Sequence, residues 1–420
     1  MSVSSQAAAA PPGFFSWWHE ATPAAKRALA AASLGWMLDS FDVMLYSLVL
    51  ASLMADLAMS TTTAGLLGSL TLLASAAGGL LFGVIADRFG RTRALMGSIL
   101  IYSVFTAACG LAQTVTHLAI FRVLLGIGMG GEWASGAALV SETWPAQHRG
   151  KALGLMQSSW AVGYAAAAAV TAIVLPIWGW RAVFFVGILP ALFTIWVRRS
   201  IEEPQIWRDS RTARSDERIT FADIFRGSLL PLTVAVTLMN ACTMFAWWGF
   251  NLWIPAYLSL PAAQGGVGLS AYAMSGLVIA MQVGMWFGYV TFGFMGDTFG
   301  RKATYVGYVM IASVLILAYA STRNPMLLLL LGPFVAFFGT GYFSGFGAIT
   351  AEIYPTRIRA TAQGFTYNIG RVASAVAPFT VGSLAATHGF RIALSTTAIA
   401  FVLAAVAWIW IPETKGRQLN

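Results

Sequence analysis

Four ionisable residues stand inside apolar sequence, where charge is expensive: Asp39, Asp42, Glu132 and Arg371. An ionised side chain at bilayer depth costs several kcal/mol unless paired or hydrated, so each marks a path for an ion or a substrate. Asp39 and Asp42 are spaced i, i+3 and share one helix face. Two carboxylates that close in low dielectric do not both ionise, so one holds a proton that it can pass on near neutral pH. The competing reading is that one aspartate pins a neighbouring helix. Arg371 offers a permanent charge and a planar fork that matches a carboxylate, with Asn368 three residues earlier on the same face. Its competing reading is permanent neutralisation by Asp39 or Asp42. Both hold in turn if the carboxylate partners Arg371 until it is protonated and an incoming anion replaces it. Glu132 reads either as a further proton carrier or as a structural partner of Arg122 or of a tryptophan N–H.

Gln157, Tyr164, Asn240, Asn251, Gln282 and Tyr367, with Arg122, are the remaining polar residues that could line a binding pocket. Each alone is more often a helix–helix hydrogen bond than a ligand contact. None of His19, His117, His148 and His388 falls mid-span, which argues against a histidine proton carrier. Cys109 and Cys242 both sit in apolar runs and form neither a disulfide framework nor a metal site. Without a nucleophile–base pair, a metal cluster or a phosphate loop, the sequence reads as no enzyme, with no cofactor and the proton as coupling ion.

The elements that position these groups follow from composition. Apolar residues make up 58% of the 420 and charged residues 10%, against roughly 25% charged in a soluble domain. Mean hydropathy is +0.72. An all-α polytopic membrane protein is expected, with spans over 28–56, 62–86, 94–113, 116–141, 152–176, 181–199, 229–258, 271–296, 303–321, 325–351, 360–386 and 391–411. Residues 1–27 form an N-terminal tail without the basic start of a secretory signal. Its Phe14–Trp18 stretch reads as an interfacial anchor. Residues 28–199 and 229–411 form two six-helix bundles, 200–228 an Arg-rich linker and 412–420 a tail. The aromatic run from Phe245 to Tyr257 reads as packing and interfacial belt, with one or two rings gating the cavity.

The net charge of +9 is a loop bias rather than a nucleic-acid patch. With both termini cytoplasmic, 20 of the 25 Lys and Arg fall on the cytoplasmic side, whereas Arg181, Arg323 and Arg391 fall opposite. Asp39 and Arg371 each lie about 12 residues, ~18 Å, from the cytoplasmic end of their helices, and Glu132 about 10 residues, ~15 Å. All three reach the middle of a ~30 Å core. Arg122 lies nearer the outer surface.

An internal repeat appears at a constant shift of 210 residues. Gly83 to Arg91 aligns with Gly293 to Arg301, Glu142 to Pro145 with Glu352 to Pro355, and Gly179-Trp180-Arg181 with Gly389-Phe390-Arg391. Six spans per copy make the repeat parallel, about an axis along the membrane normal. The first pair places Asp87, Arg91, Asp297 and Arg301 in cytoplasmic turns. With Glu142, Arg149, Glu352 and Arg359 they are expected as ion-paired gates that break when the halves rock.

These residues carry a resemblance. Gly83 to Arg93, the run from Arg122 through Gly126, Gly128, Gly130 and Gly131 to Trp133, Glu142-Thr-Trp-Pro145, Pro176 to Phe185 and Pro412-Glu413-Thr414-Lys415-Gly416 resemble the major facilitator superfamily over about residues 20–416. Residues 126–207 are similar to the sialate and lactate/pyruvate:proton symporter family. Asp39-Ser-Phe-Asp42 and Gly370-Arg371 resemble the aromatic-acid:proton symporters. The linker is too short for the extra spans of sialate carriers, and the His/Asp motif of yeast-type lactate permeases is absent. The resemblance implies a monomeric inner-membrane carrier that imports a small organic monocarboxylate, lactate- or pyruvate-like, with a proton. Its partners would be that anion, the proton and the lipid bilayer, with no nucleic acid. An aromatic-acid, sialate or sugar carrier, a uniporter and a non-transporting nutrient sensor remain as alternatives.

Overall fold

The computed structural model describes residues 16–200, 224–227, 229–354 and 358–415. Most of the linker and both extreme tails lie outside the described residues, as do the side chains of Asp87, Arg91, Arg149, Asp297 and Arg359.

Among the described residues, ten helical runs are long and apolar enough to cross a bilayer. Two of them, 150–193 and 362–407, are double. Each bends at a glycine with positive φ, Gly179 at 75° and Gly389 at 80°, a conformation that costs a residue with a Cβ dearly. Counting the two bends gives the twelve expected crossings. Spans 1–4 are Pro23–Asp56, Thr61–Phe89, Arg91–Cys109 and Val115–Thr143. Spans 5 and 6 run from Ala146 through the bend to Val186 and on over Leu189–Ser200. Spans 7–9 are Leu229–Ser259, Ala271–Phe299 and Arg301–Ser321.

Span 10 is not one helix, as the sequence suggested. Pro325–Thr340 gives way to a 3-10 turn, Gly341–Gly345, before Phe346–Ile353. Span 11 starts at Arg359, breaks after Ser374 and resumes at Val376, and span 12 ends at Ala407. Span 1 begins at Pro23, five residues before the sequence boundary, because the Thr22 hydroxyl accepts from the Ala25 amide and caps it.

The 210-residue repeat reaches into the caps and contacts. Ser60 and Ser270 cap spans 2 and 8, and Thr114 and Asn324 cap spans 4 and 10. A Cβ on Gly78 would strike the Ile127 carbonyl, and one on Gly288 the Phe337 carbonyl, so spans 2–4 and 8–10 meet at the same small-residue crossing.

The two halves join at the end away from the termini. Ser47 Oγ donates to the Leu252 carbonyl at 2.6 Å, and the Phe379 amide donates to Ser69 Oγ at 3.1 Å. The Pro378 carbonyl sits where a Cβ on Gly65 would go. At the termini end, Trp17 packs 5.3 Å from Trp144, so the described part of the proposed anchor docks on the end of span 4, while Trp18 stays exposed.

Of the expected gates, Arg301 and Glu352 are paired, Nη2 to Oε1 at 3.1 Å. Both belong to the C-terminal half, so this bond ties span 9 to span 10 rather than one half to the other. Thr414 adds a 2.6 Å hydrogen bond to Glu352 Oε2, and Glu413 accepts from the Arg301 and Lys302 amides at 2.8 and 3.1 Å. Partial burial pushes the Glu413 carboxyl up, but the amides of Lys415, Arg301, Lys302 and Thr414 outweigh it and hold it below its ordinary range. The Pro412–Lys415 segment thus caps the first turn of span 9.

Candidate functional site

Four helices bring the mid-depth groups together. Asp39 on span 1, Glu132 on span 4 and Arg371 on span 11 are 1%, 0% and 8% exposed. Asp39 and Glu132 lie within electrostatic reach of each other and of Arg371. Span 2 supplies the floor: a Cβ on Gly79 would stand 3.7 Å from Arg371 Nη1 and 3.8 Å from Asn368 Oδ1. Gly35 plays the same part for Glu132, whose Oε1 lies 2.5 Å from the place of a Cβ there. The three groups expected at one depth from helix rise are thus brought near one another from both halves.

Asp39 Oδ2, both Asp42 oxygens and both Glu132 oxygens have no hydrogen-bond partner among the described residues. The pairing of Glu132 with Arg122 or a tryptophan is accordingly not made. Nor is any carboxylate among the described residues within 4 Å of the Arg371 guanidinium, which instead lies 5.7 Å from the Tyr367 ring centre. Such groups cost free energy until something partners them.

Arg371 and Tyr367 open onto a cleft together with Gln157 and Met244. Aromatic rings form most of the remaining wall. Trp36 lies 4.7 Å from Trp160, which meets Trp248 edge-on at 6.1 Å. Trp247, Tyr289 and Phe343 close the side given by spans 7, 8 and 10. The cleft thus sets one positive charge among aromatic faces.

Other expected residues stand elsewhere. Asn368 spends its amide on the Gly364 carbonyl at 2.9 Å, although its oxygen faces Gly79 beside Arg371. Arg122 is buried in the N-terminal half with its Cζ 3.6 Å from the Tyr46 ring centre, apart from the cleft. Tyr164 faces Ser47, and Asn240 packs against Gly370. Asn251 and Gln282 line a second cleft. Sequence reasoning missed Trp36 and Trp160 and filed Trp248 under packing. One signal was available: Trp36 stands three residues before Asp39 and shares its helix face.

Helices long and apolar enough to cross a bilayer, gathered around a cleft that holds a buried arginine, are the arrangement of a multi-pass membrane transporter. The chain belongs to the Major Facilitator Superfamily, whose pattern matches residues 32–290 and again 258–420. It is 36% identical over 404 residues to a putative metabolite transport protein of Haemophilus influenzae, covering 94% of this chain and 98% of that one. It is 31% identical to a probable 4-methylmuconolactone transporter of Cupriavidus pinatubonensis, covering 96% and 94%. It is also 31% identical to the sialic acid transporter NanX of Escherichia coli, covering 92% and 93%.

Proposed function

We propose that the chain is a proton-coupled symporter that imports a small organic monocarboxylate across the inner membrane, with both termini cytoplasmic. Arg371 carries this reading: a buried arginine facing the cleft, no carboxylate among the described residues paired to it, and Asp39 and Glu132 in electrostatic reach. An anion entering the cleft takes the guanidinium fork. The acid that had balanced Arg371 then loses its basic counterpart and takes a proton. Empty and fully loaded sites then carry the same net charge. A site with the anion alone or the proton alone holds an unbalanced buried charge, which disfavours the rocking of the halves. One proton accompanies each anion.

Within that class, the walls of Trp36, Trp160, Trp248, Tyr289 and Phe343 favour a planar unsaturated or aromatic acid over a lactate- or pyruvate-like one. The names of the relatives support a small organic cargo. The test is calorimetry on purified protein with benzoate, lactate, pyruvate, sialate and, as an uncharged control, benzamide. Benzoate is expected to bind, and benzamide to bind at least tenfold more weakly. Benzamide binding as tightly as benzoate would remove the carboxylate from the account.

A further inference from the structure

The C-terminal half contains a second, smaller space, with room for a group about the size of one water or hydroxyl, that shares Trp247 with the first. Its position follows from the helices. On span 7 Asn251 stands seven residues beyond Met244, on span 8 Gln282 stands seven residues before Tyr289, and on span 10 Gly339 stands four residues before Phe343. Spans 7 and 8 run in opposite directions, so these offsets all point the same way. The second cleft lies ~6–10 Å farther from the termini than the first, at 1.5 Å per residue.

Its walls are apolar apart from two amides. Asn251 Nδ2 and Gln282 Oε1 are both buried without a hydrogen-bond partner among the described residues. Gln282 already spends its own N–H on the Val278 carbonyl at 3.4 Å, which leaves the oxygen as its free group. One unmade donor and one unmade acceptor in an apolar chamber are costly unless a guest supplies both partners. A hydroxyl does so, because it donates and accepts at once. A carboxylate has no donor for Gln282 Oε1, and an ammonium has no acceptor for Asn251 Nδ2.

We propose that Asn251 and Gln282 form a subsite that reads a hydroxyl at the far end of the acid held by Arg371, with Trp247 as the shared wall. This inference rests on the acid-carrier reading above. It also makes the carrier a poor fit for lactate, whose hydroxyl sits next to its carboxylate and cannot reach so far.

The test compares binding of 4-hydroxybenzoate and benzoate by calorimetry. The wild type should prefer the hydroxylated acid about tenfold, the order expected for one buried hydrogen-bonded group. Gln282→Met and Asn251→Leu, which remove the acceptor and the donor at similar volume, should each bring the ratio of the two affinities close to one. Equal wild-type affinities would overturn the subsite alone, whether or not either variant folds. A wild type that binds neither acid would overturn the carrier reading and the subsite together. A preference that survives both substitutions would place the hydroxyl elsewhere and overturn the assignment.

Discussion

Replacing Arg371 gives the sharpest forecast for the binding site. Arg371 is 8% exposed, and its Nη1 lies 3.7 Å from the place where a Cβ on Gly79 would stand. Arg371→Ala leaves the substrate anion without a charged partner in low dielectric, a loss of about 2–5 kcal/mol. At 1.4 kcal/mol per decade, the dissociation constant rises about 30-fold to several thousand-fold. Arg371→Lys keeps the charge but loses the two-pronged geometry, and should weaken binding about tenfold. The assay is calorimetry with an acid and its amide. The acid should lose affinity in both variants, whereas the amide, bound poorly by the wild type, should barely distinguish them. Unchanged affinity of Arg371→Ala for the acid would make the arginine structural and move the search to Arg122, the other buried arginine among the described residues.

Three further outcomes follow. Among Asp39→Asn, Asp42→Asn and Glu132→Gln, the substitution that removes the exchanging acid should abolish gradient-driven accumulation yet leave substrate exchange, and full accumulation in all three would refute the one-acid scheme. Asp87→Asn and Asp297→Asn, at matched positions of the repeat, should shift cysteine accessibility between the two membrane sides while substrate still binds in detergent. Loss of binding with unchanged accessibility would contradict a gating role. Glu413 is held below the ordinary carboxylate range, so its contribution is present above that range and lost as pH falls through the lowered value. The thermal stability of the wild type should therefore exceed that of Glu413→Gln at neutral pH, and the gap should shrink on acidification. A gap independent of pH would show that the carboxylate is not the capping species.

Much of this architecture was legible in the chain because membrane helices obey few rules. The 210-residue shift located the halves, and helix rise alone put Asp39, Glu132 and Arg371 at one depth. The same shift also joins Ser60 to Ser270 and Thr114 to Asn324, whose capping role needed the structure to be seen. Rotation of helices about their own axes was not legible. Apolar aromatics occur on every face of a buried membrane helix, so beyond the spacing of Trp36 from Asp39 nothing in the sequence separated Trp160 and Trp248, which wall the cleft, from Trp253, which donates to the Pro378 carbonyl. The breaks after Thr340 and Ser374 were equally hidden, since glycine and small polar residues are also common in straight membrane helices. Glu352 and Arg359 were expected as gates, and the Arg359 side chain lies outside the described residues. The bond from Glu352 to Arg301 lies within one half.

The central claim is that anion and proton move together, and accumulation in proteoliposomes tests it most directly. With acid outside and neutral buffer inside, labelled benzoate should rise above its equilibrium level. An uncoupler should collapse that accumulation while leaving benzoate exchange intact. Accumulation that persists in the presence of the uncoupler would contradict the account.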